Sequence, residues 1–196
     1  MESMRKIGIT GSIGAGKSFV GSLLRYRGYG VLDADVAVHT LYRDNATLRG
    51  ELAASFGEEC LTPDGVNRDY FIRKIFSDAT ARERLESIVY PHLTRYVKEF
   101  LEAADGAPVK FVEAALLSRA PGIVALLDEI WIVDAPEAVR LERLVNRGME
   151  RGDALRRIEN QRGECTAERF AGKAVHALEN AGARDSLELQ LDSLLR

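Results

Sequence analysis

Short apolar runs alternate with longer amphipathic stretches along this chain. Lys6-Ile7-Gly8-Ile9-Thr10 reads as a strand that runs straight into a glycine-rich segment from Gly11 to Gly16. Val20, Leu23, Leu24 and Arg27 then recur at helical spacing, and Gly28 and Gly30 stop that helix. Val31-Leu32-Asp33-Ala34-Asp35 reads as a second short strand. Strand, glycine loop, helix and strand within about 30 residues form one βαβ unit, so the two strands should be parallel.

From Val36 to about Ala107 the pattern predicts helices at 36–42, 46–56, 68–76, 79–88 and 91–104, with no convincing strand. Pro63-Asp64-Gly65 is a turn, and Ser77-Asp78 stands where a helix cap belongs. So much helix between two strands exceeds a single crossover. It reads as a helical lobe inserted over the sheet's carboxyl edge. Alternation then resumes. Val109-Lys110-Phe111-Val112 is a strand ending at Glu113, and Ile130-Trp131-Ile132-Val133 is apolar enough to be buried on both faces, with Trp131 in the core. Asp134-Ala135-Pro136-Glu137 predicts a helix start with a capping Asp, and that helix runs to about Arg147-Gly148. Residues 174–178 predict a fifth strand, and Leu187, Leu191, Leu194 and Leu195 a last helix. The fold class is therefore α/β.

Composition narrows the class. Of 196 residues 46% are hydrophobic and 29% charged, which suits a globular chain and excludes disorder as the main state. No apolar run approaches the roughly 18 residues a membrane span needs, and Met1-Glu2-Ser3-Met4-Arg5-Lys6 offers no signal-peptide core, so no membrane association is expected. Cys60 and Cys165 lie far apart without a C-x-x-C pattern, and the three histidines (His39, His92, His176) have no metal-ligand spacing. That argues against zinc and disulfide frameworks and for the cytoplasm. A net charge of −3 argues against a broad nucleic-acid surface, and nothing calls for an obligate protein partner.

Gly11-Ser12-Ile13-Gly14-Ala15-Gly16-Lys17-Ser18 matches G-x-x-x-x-G-K-[ST] without a gap. In such a phosphate-binding (P-loop) segment, glycines let consecutive backbone N–H groups turn inward around an anion, and the following helix adds its positive end. Lys17 would reach the β- and γ-phosphates of ATP, and the Ser18 hydroxyl would ligate Mg²⁺. Asp33 and Asp35, two apart on a strand, would share a face beyond the sheet's carboxyl end. Asp35, further out, is the candidate base for an acceptor hydroxyl; the alternative for either acid is a helix cap. Glu113 ends the third strand by the same logic and would hold the acceptor or a magnesium-bound water, unless it is a plain strand terminus. His39 lies one turn past Asp35 and would face the same pocket, unless it has a core or surface role. The arginines from Arg140 to Arg162 fit either a lid closing over phosphates or a solvated face, with Arg147 the first functional candidate.

The pattern as a whole resembles the dephospho-CoA kinase family. The resemblance rests on Ile9 to Ser18, on Val31-Leu32-Asp33-Ala34-Asp35, on Gly65-Val66-Asn67-Arg68, Ile75-Phe76 and Leu85-Glu86-Ser87-Ile88, and on Val112-Glu113-Ala114-Ala115-Leu116-Leu117. It implies a P-loop fold with a parallel five-stranded core at about 1–36, 108–140 and 172–196. It also implies an acceptor lobe at about 37–107 and a lid at about 141–168. The implied reaction is ATP- and Mg²⁺-dependent phosphorylation of the ribose 3′-hydroxyl of dephospho-CoA. The family's base falls on Asp35, its acceptor-side arginine on Arg68, its lid arginine on Arg147, and an asparagine near the nucleotide on Asn180. Phe19 stands where the family usually has Thr. Tyr90-Pro91 replaces its His-Pro, with Pro91 kept on the acceptor side, and Val175-His176 replaces an Asp. Two other readings share the loop: another small-molecule P-loop kinase, and a nucleotide-dependent switch. The switch lacks an Asp-x-x-Gly after an apolar strand and an Asn-Lys-x-Asp.

Overall fold

The computed structural model describes residues 4–196, apart from the side chains of 75–77. The Met1-Glu2-Ser3 start and the Ile75-Phe76 side chains therefore lie outside the described residues. The chain divides into two compact units, one from the residues up to Leu32 together with Ala104–Arg196, the other Asp33–Ala103.

The first unit is a parallel five-stranded sheet flanked by helices. Its strands are β1 (Arg5–Thr10), β2 (Gly30–Asp33), β5 (Val109–Glu113), β6 (Glu129–Asp134) and β7 (Ala174–Glu179), in the order β2-β5-β1-β6-β7. Its helices are α1 (Lys17–Tyr26), α6 (Pro121–Leu126), α7 (Glu137–Asn146), α8 (Arg151–Asn160) and α9 (Arg184–Leu194). Strand alternation sends Ile7, Ile9, Phe111, Trp131, Val133 and Leu178 to one face, where Val20, Leu23 and Leu24 of α1 and Leu187 and Leu191 of α9 cover them. On the other face Gly8 leaves room for Leu117, Leu127 and Ile130, which a Cβ would meet at 2.7–2.9 Å. Trp131 is fully buried, as its apolar strand predicts. Register sets Ile9 opposite Glu113, so that carboxylate stands beside the root of the glycine loop.

One expectation changes here. Asp134 does not cap α7. It closes β6, Pro136 takes the cap position, and no side chain bonds the first turn. Proline's fixed φ already suits a helix start.

The second unit holds α2 (Ala34–Asp44), α3 (Ala46–Phe56), a hairpin of β3 (Leu61–Thr62) and β4 (Gly65–Val66), α4 (Arg68–Ser77) and α5 (Ala79–Glu102). The hairpin was not expected, although its Pro63-Asp64 turn was; two-residue strands are too short to show alternation. The second strand of the chain also ends two residues early, because Asp33 caps α2, accepting from the amides of Asp35 (2.9 Å) and Val36 (3.1 Å). Asp78 caps α5 as expected, accepting from Ala81.

Residues 79–88 and 91–104 were read as separate helices, but they form one α5 with Pro91 inside. Pro91 is exposed, and so is Ser87, whose carbonyl the ring deprives of its N–H and leaves to water. Meanwhile Ala81, Leu85, Val89, Leu93, Val97 and Leu101 keep one buried stripe in phase across the proline.

His92, buried on α5, ties the lobe together. Its Nδ1 faces two donors, Asn45 Nδ2 at 3.3 Å and Arg95 Nη2 at 3.2 Å, so it accepts. The proton therefore sits on Nε2 and is donated to Glu51 at 2.8 Å. Asn45 also caps α3 through Leu48 N. His92→Ala, which leaves a cavity and removes the bonds that join α3 to α5, should cost about 2 kcal/mol of stability. Urea unfolding checks this, and an unchanged midpoint would refute the role.

Candidate active site

The loop after β1 is shaped by close approaches that only glycine permits. A Cβ at Gly11 would lie 2.4 Å from the Val133 carbonyl oxygen, and one at Gly14 2.8 Å from that of Arg140. Gly16 has φ +98°, and its Cβ would meet Asn180 Nδ2 at 2.0 Å. Asn180 donates from that nitrogen to the Ala15 carbonyl at 2.7 Å. Arg143 reaches the carbonyls of Gly14 (3.3 Å), Ala15 (3.2 Å) and Asn180 (2.7 Å). The loop's carbonyls are thus held from behind.

In front lies a cavity of about 210 Å³ lined by Gly11, Ser12, Ile13, Gly14, Gly16, Lys17, Ser18, Ala115, Arg147 and Gln161. Gln161 Oε1 accepts the Ile13 N–H at 2.7 Å. Arg147 stands at the end of α7. The N–H of Gly148, at φ +87°, bonds the Val145 carbonyl and that of Met149 the Leu144 carbonyl, which closes the helix in a Schellman turn. Leu141, Leu144, Ala154 and Ile158 pack α7 on α8, with Ile13 and Met149 against them.

Three residues expected to bind the nucleotide, Ala15, Phe19 and Asn180, do not line this cavity. The Ala15 amide donates to the Ser12 carbonyl, and its side chain is core. Asn180 buttresses the loop and does not line the cavity. Phe19 is 41% exposed, and its amide bonds Gly16. Glu113 is buried and ion-paired to Lys17 (3.1 Å) and Arg25 (3.6 Å), all within the sheet unit. Cys165 lies half-buried near Thr10, lining a neighbouring 460 Å³ cavity. Burial pushes its thiol up, so it stays protonated and weakly nucleophilic at neutral pH.

The lobe has its own cavity of about 320 Å³, lined by Asp35, Val38, His39, Tyr42, Arg68, Phe71, Ile72 and Leu85. Asp35, His39 and Tyr42 fall at i, i+4 and i+7 on one face of α2. Arg68 arrives through a chain of local causes. Gly65 lacks the Cβ that would lie 2.7 Å from the Tyr42 carbonyl oxygen, so the hairpin lies against α2. Asn67 then donates its amide to Cys60 O and caps α4 through Tyr70 N, and Arg68 opens that helix. Tyr42 was not singled out from the sequence; its i+7 spacing from Asp35 was the available signal. Burial pushes its phenol up to about 12, with Arg68 opposing and Tyr90 reinforcing. The hydroxyl is therefore a proton donor across the physiological range. Asp33 and Pro91, both expected beside the acceptor, do not line this cavity: one caps α2 and the other faces outward from α5.

A model of the dephospho-CoA kinase family matches residues 5–185. The chain belongs to that family. A dephospho-CoA kinase from Anaeromyxobacter dehalogenans is 38% identical over 98% of this chain and 91% of its own length. A crystal structure from Thermus thermophilus superposes with a TM-score of 0.79 at 35% identity, covering 99% of this chain and 97% of that one. Dephospho-CoA kinase from Campylobacter jejuni has the same fold, with a TM-score of 0.68 at 19% identity over 98% and 96% of the two chains. Membership of the dephospho-CoA kinase family makes the chain a transferase with a P-loop kinase fold and sets aside the nucleotide-switch reading. Kinase membership also makes ATP its substrate.

Proposed function

We propose that the protein transfers the terminal phosphoryl group of ATP to the ribose 3′-hydroxyl of dephospho-CoA, giving coenzyme A and ADP. The observation that carries this reading is the lobe cavity, where the carboxylate of Asp35 shares an apolar-walled space with the guanidinium of Arg68. A carboxylate suits an alcohol about to lose its proton, and a guanidinium suits the phosphates of the acceptor. Asp35 accepts and orients the hydroxyl, with His39 and Tyr42 beside it. The amides of the loop cradle ATP, Lys17 draws on its β- and γ-phosphates, and Arg147 neutralises charge on the transferring group. Tyr42→Phe keeps the ring and removes the donor, so KM for the acceptor should rise about fivefold with little change for ATP. Steady-state kinetics test this, and an unchanged acceptor KM would remove the hydroxyl from recognition.

Mg²⁺ fits the residues present. Mg²⁺ that travels with a nucleotide needs only one or two protein oxygens, the phosphates and waters completing its shell. The exposed Ser18 hydroxyl would hold it, with the buried Glu113 acting through a water; Glu113 Oε2 accepts no hydrogen bond from any described residue. When bound, Mg²⁺ supplies neutralisation of the phosphate charge.

We assign the nucleotide core to about 1–36, 108–140 and 172–196, the acceptor lobe to about 37–107 and the lid to about 141–168; the compact units divide a little earlier, at Leu32/Asp33 and Ala103/Ala104, which groups Asp35 with the lobe. No helix among the described residues is long and apolar enough to cross a membrane. Two free cysteines support a cytoplasmic place of work, and the small-molecule acceptor requires neither nucleic acid nor an obligate protein partner. ADP release with ATP, Mg²⁺ and, in parallel, dephospho-CoA, adenylate, shikimate or gluconate tests the proposal. Dephospho-CoA should stand far above the others. A rate no higher than with water alone would overturn it.

A further inference from the structure

We propose that Arg25 is a positioning residue for the phosphate-loop lysine: it keeps Glu113 compensated when Lys17 leaves that carboxylate for the phosphates of ATP. The inference rests on the loop being the ATP site. Lys17, Gly21 and Arg25 occupy i, i+4 and i+8 of α1 and so share one helix face. Glu113, at the end of β5, lies against that face where Gly21 makes room; a Cβ there would stand 2.4 Å from Oε2. Lys17 Nζ takes one carboxylate oxygen at 3.1 Å, and Arg25 Nη2 stands 3.6 Å from the other. Glu113 is 1% exposed.

A carboxylate so buried is costly to leave without a cation. Lys17 cannot neutralise Glu113 and ATP at once. Arg25 can stay, because its Nε also bonds the Val31 carbonyl at 3.4 Å and its planar fork reaches both partners. It is not itself a phosphate ligand: eight residues along α1 places it about 12 Å further down the helix axis than Lys17. Without Arg25, moving Lys17 to ATP would strand the charge of Glu113, and the cost would appear as weaker nucleotide binding. Gly21 belongs to the same device. A glycine inside a helix is unfavourable, and here it admits the carboxylate.

The test is a double-mutant cycle on ATP affinity, read by calorimetry in EDTA so that the metal plays no part. Arg25→Met should weaken ATP about fivefold, and Arg25→Lys, which keeps a cation, by no more than about twofold. In a Glu113→Gln background, or Glu113→Ala should Gln not fold, Arg25→Met should have no further effect. A merely structural arginine would weaken both backgrounds alike. Unchanged affinity in Arg25→Met, or a loss that persists without Glu113, overturns the inference while leaving the ATP site intact. A wild-type protein that binds no ATP even with Mg²⁺ present overturns the reading of the loop, and this role with it.

Discussion

Asp35→Asn is expected to lower turnover about a thousandfold, the range a positioned acid–base group contributes. Asn keeps the shape of the side chain and its place in the first turn of α2, but it cannot take up the proton of an attacking hydroxyl. Asp33, the nearest carboxylate along the chain, is not free to replace it. The Oδ1 of Asp33 is held by two amides of its own helix. His39, one turn on, lines the same cavity, so the double variant Asp35→Asn, His39→Ala should lose no more turnover than Asp35→Asn alone. Affinity for ATP should stay within about twofold, because the phosphate loop belongs to the other compact unit and the loss falls on kcat. Normal turnover in this variant would remove Asp35 from the mechanism. A loss shared between kcat and ATP binding would mean that it acts on the nucleotide.

What the sequence displayed and what it hid divide along a physical line. The phosphate loop was legible because its chemistry is contiguous: backbone amides, a lysine and a hydroxyl in eight successive residues. The central strands were legible because burial on both faces leaves unbroken apolar runs. Asp33 misled because a strand's last residue and a helix cap carry the same side chain, and the alternation argument was carried two residues past the strand's end. Pro91 misled because a proline inside a helical run resembles a break, whereas the buried stripe from Ala81 to Leu101 continues in phase across it. Arg143 and Gln161 gave no local sign of their role, and only the family resemblance placed Asn180 near the nucleotide. The three bond the loop across 128, 148 and 165 residues of sequence, a distance at which pattern is silent. Gly21 shows nothing in the sequence of the carboxylate it admits, because Glu113 lies 92 residues further along the chain.

Lys17→Met is expected to have two separable effects, and separating them tests both of the lysine's contacts. Turnover should fall about a thousandfold, because a methionine of similar length leaves the transferring phosphates without their point charge. Stability should also fall, by about 2 kcal/mol, because Glu113 loses the closer of its two cations while remaining buried. Arg25 limits that second loss, which is why it should come out below what a fully stranded carboxylate costs. Adding Glu113→Gln to Lys17→Met removes the stranded charge, so thermal stability should recover most of the deficit. Turnover should not recover with it, because the phosphates still lack their cation. If activity and stability returned together, the lysine would be a structural partner of Glu113 and no phosphate ligand. If neither changed in the single variant, the loop would not be the nucleotide site.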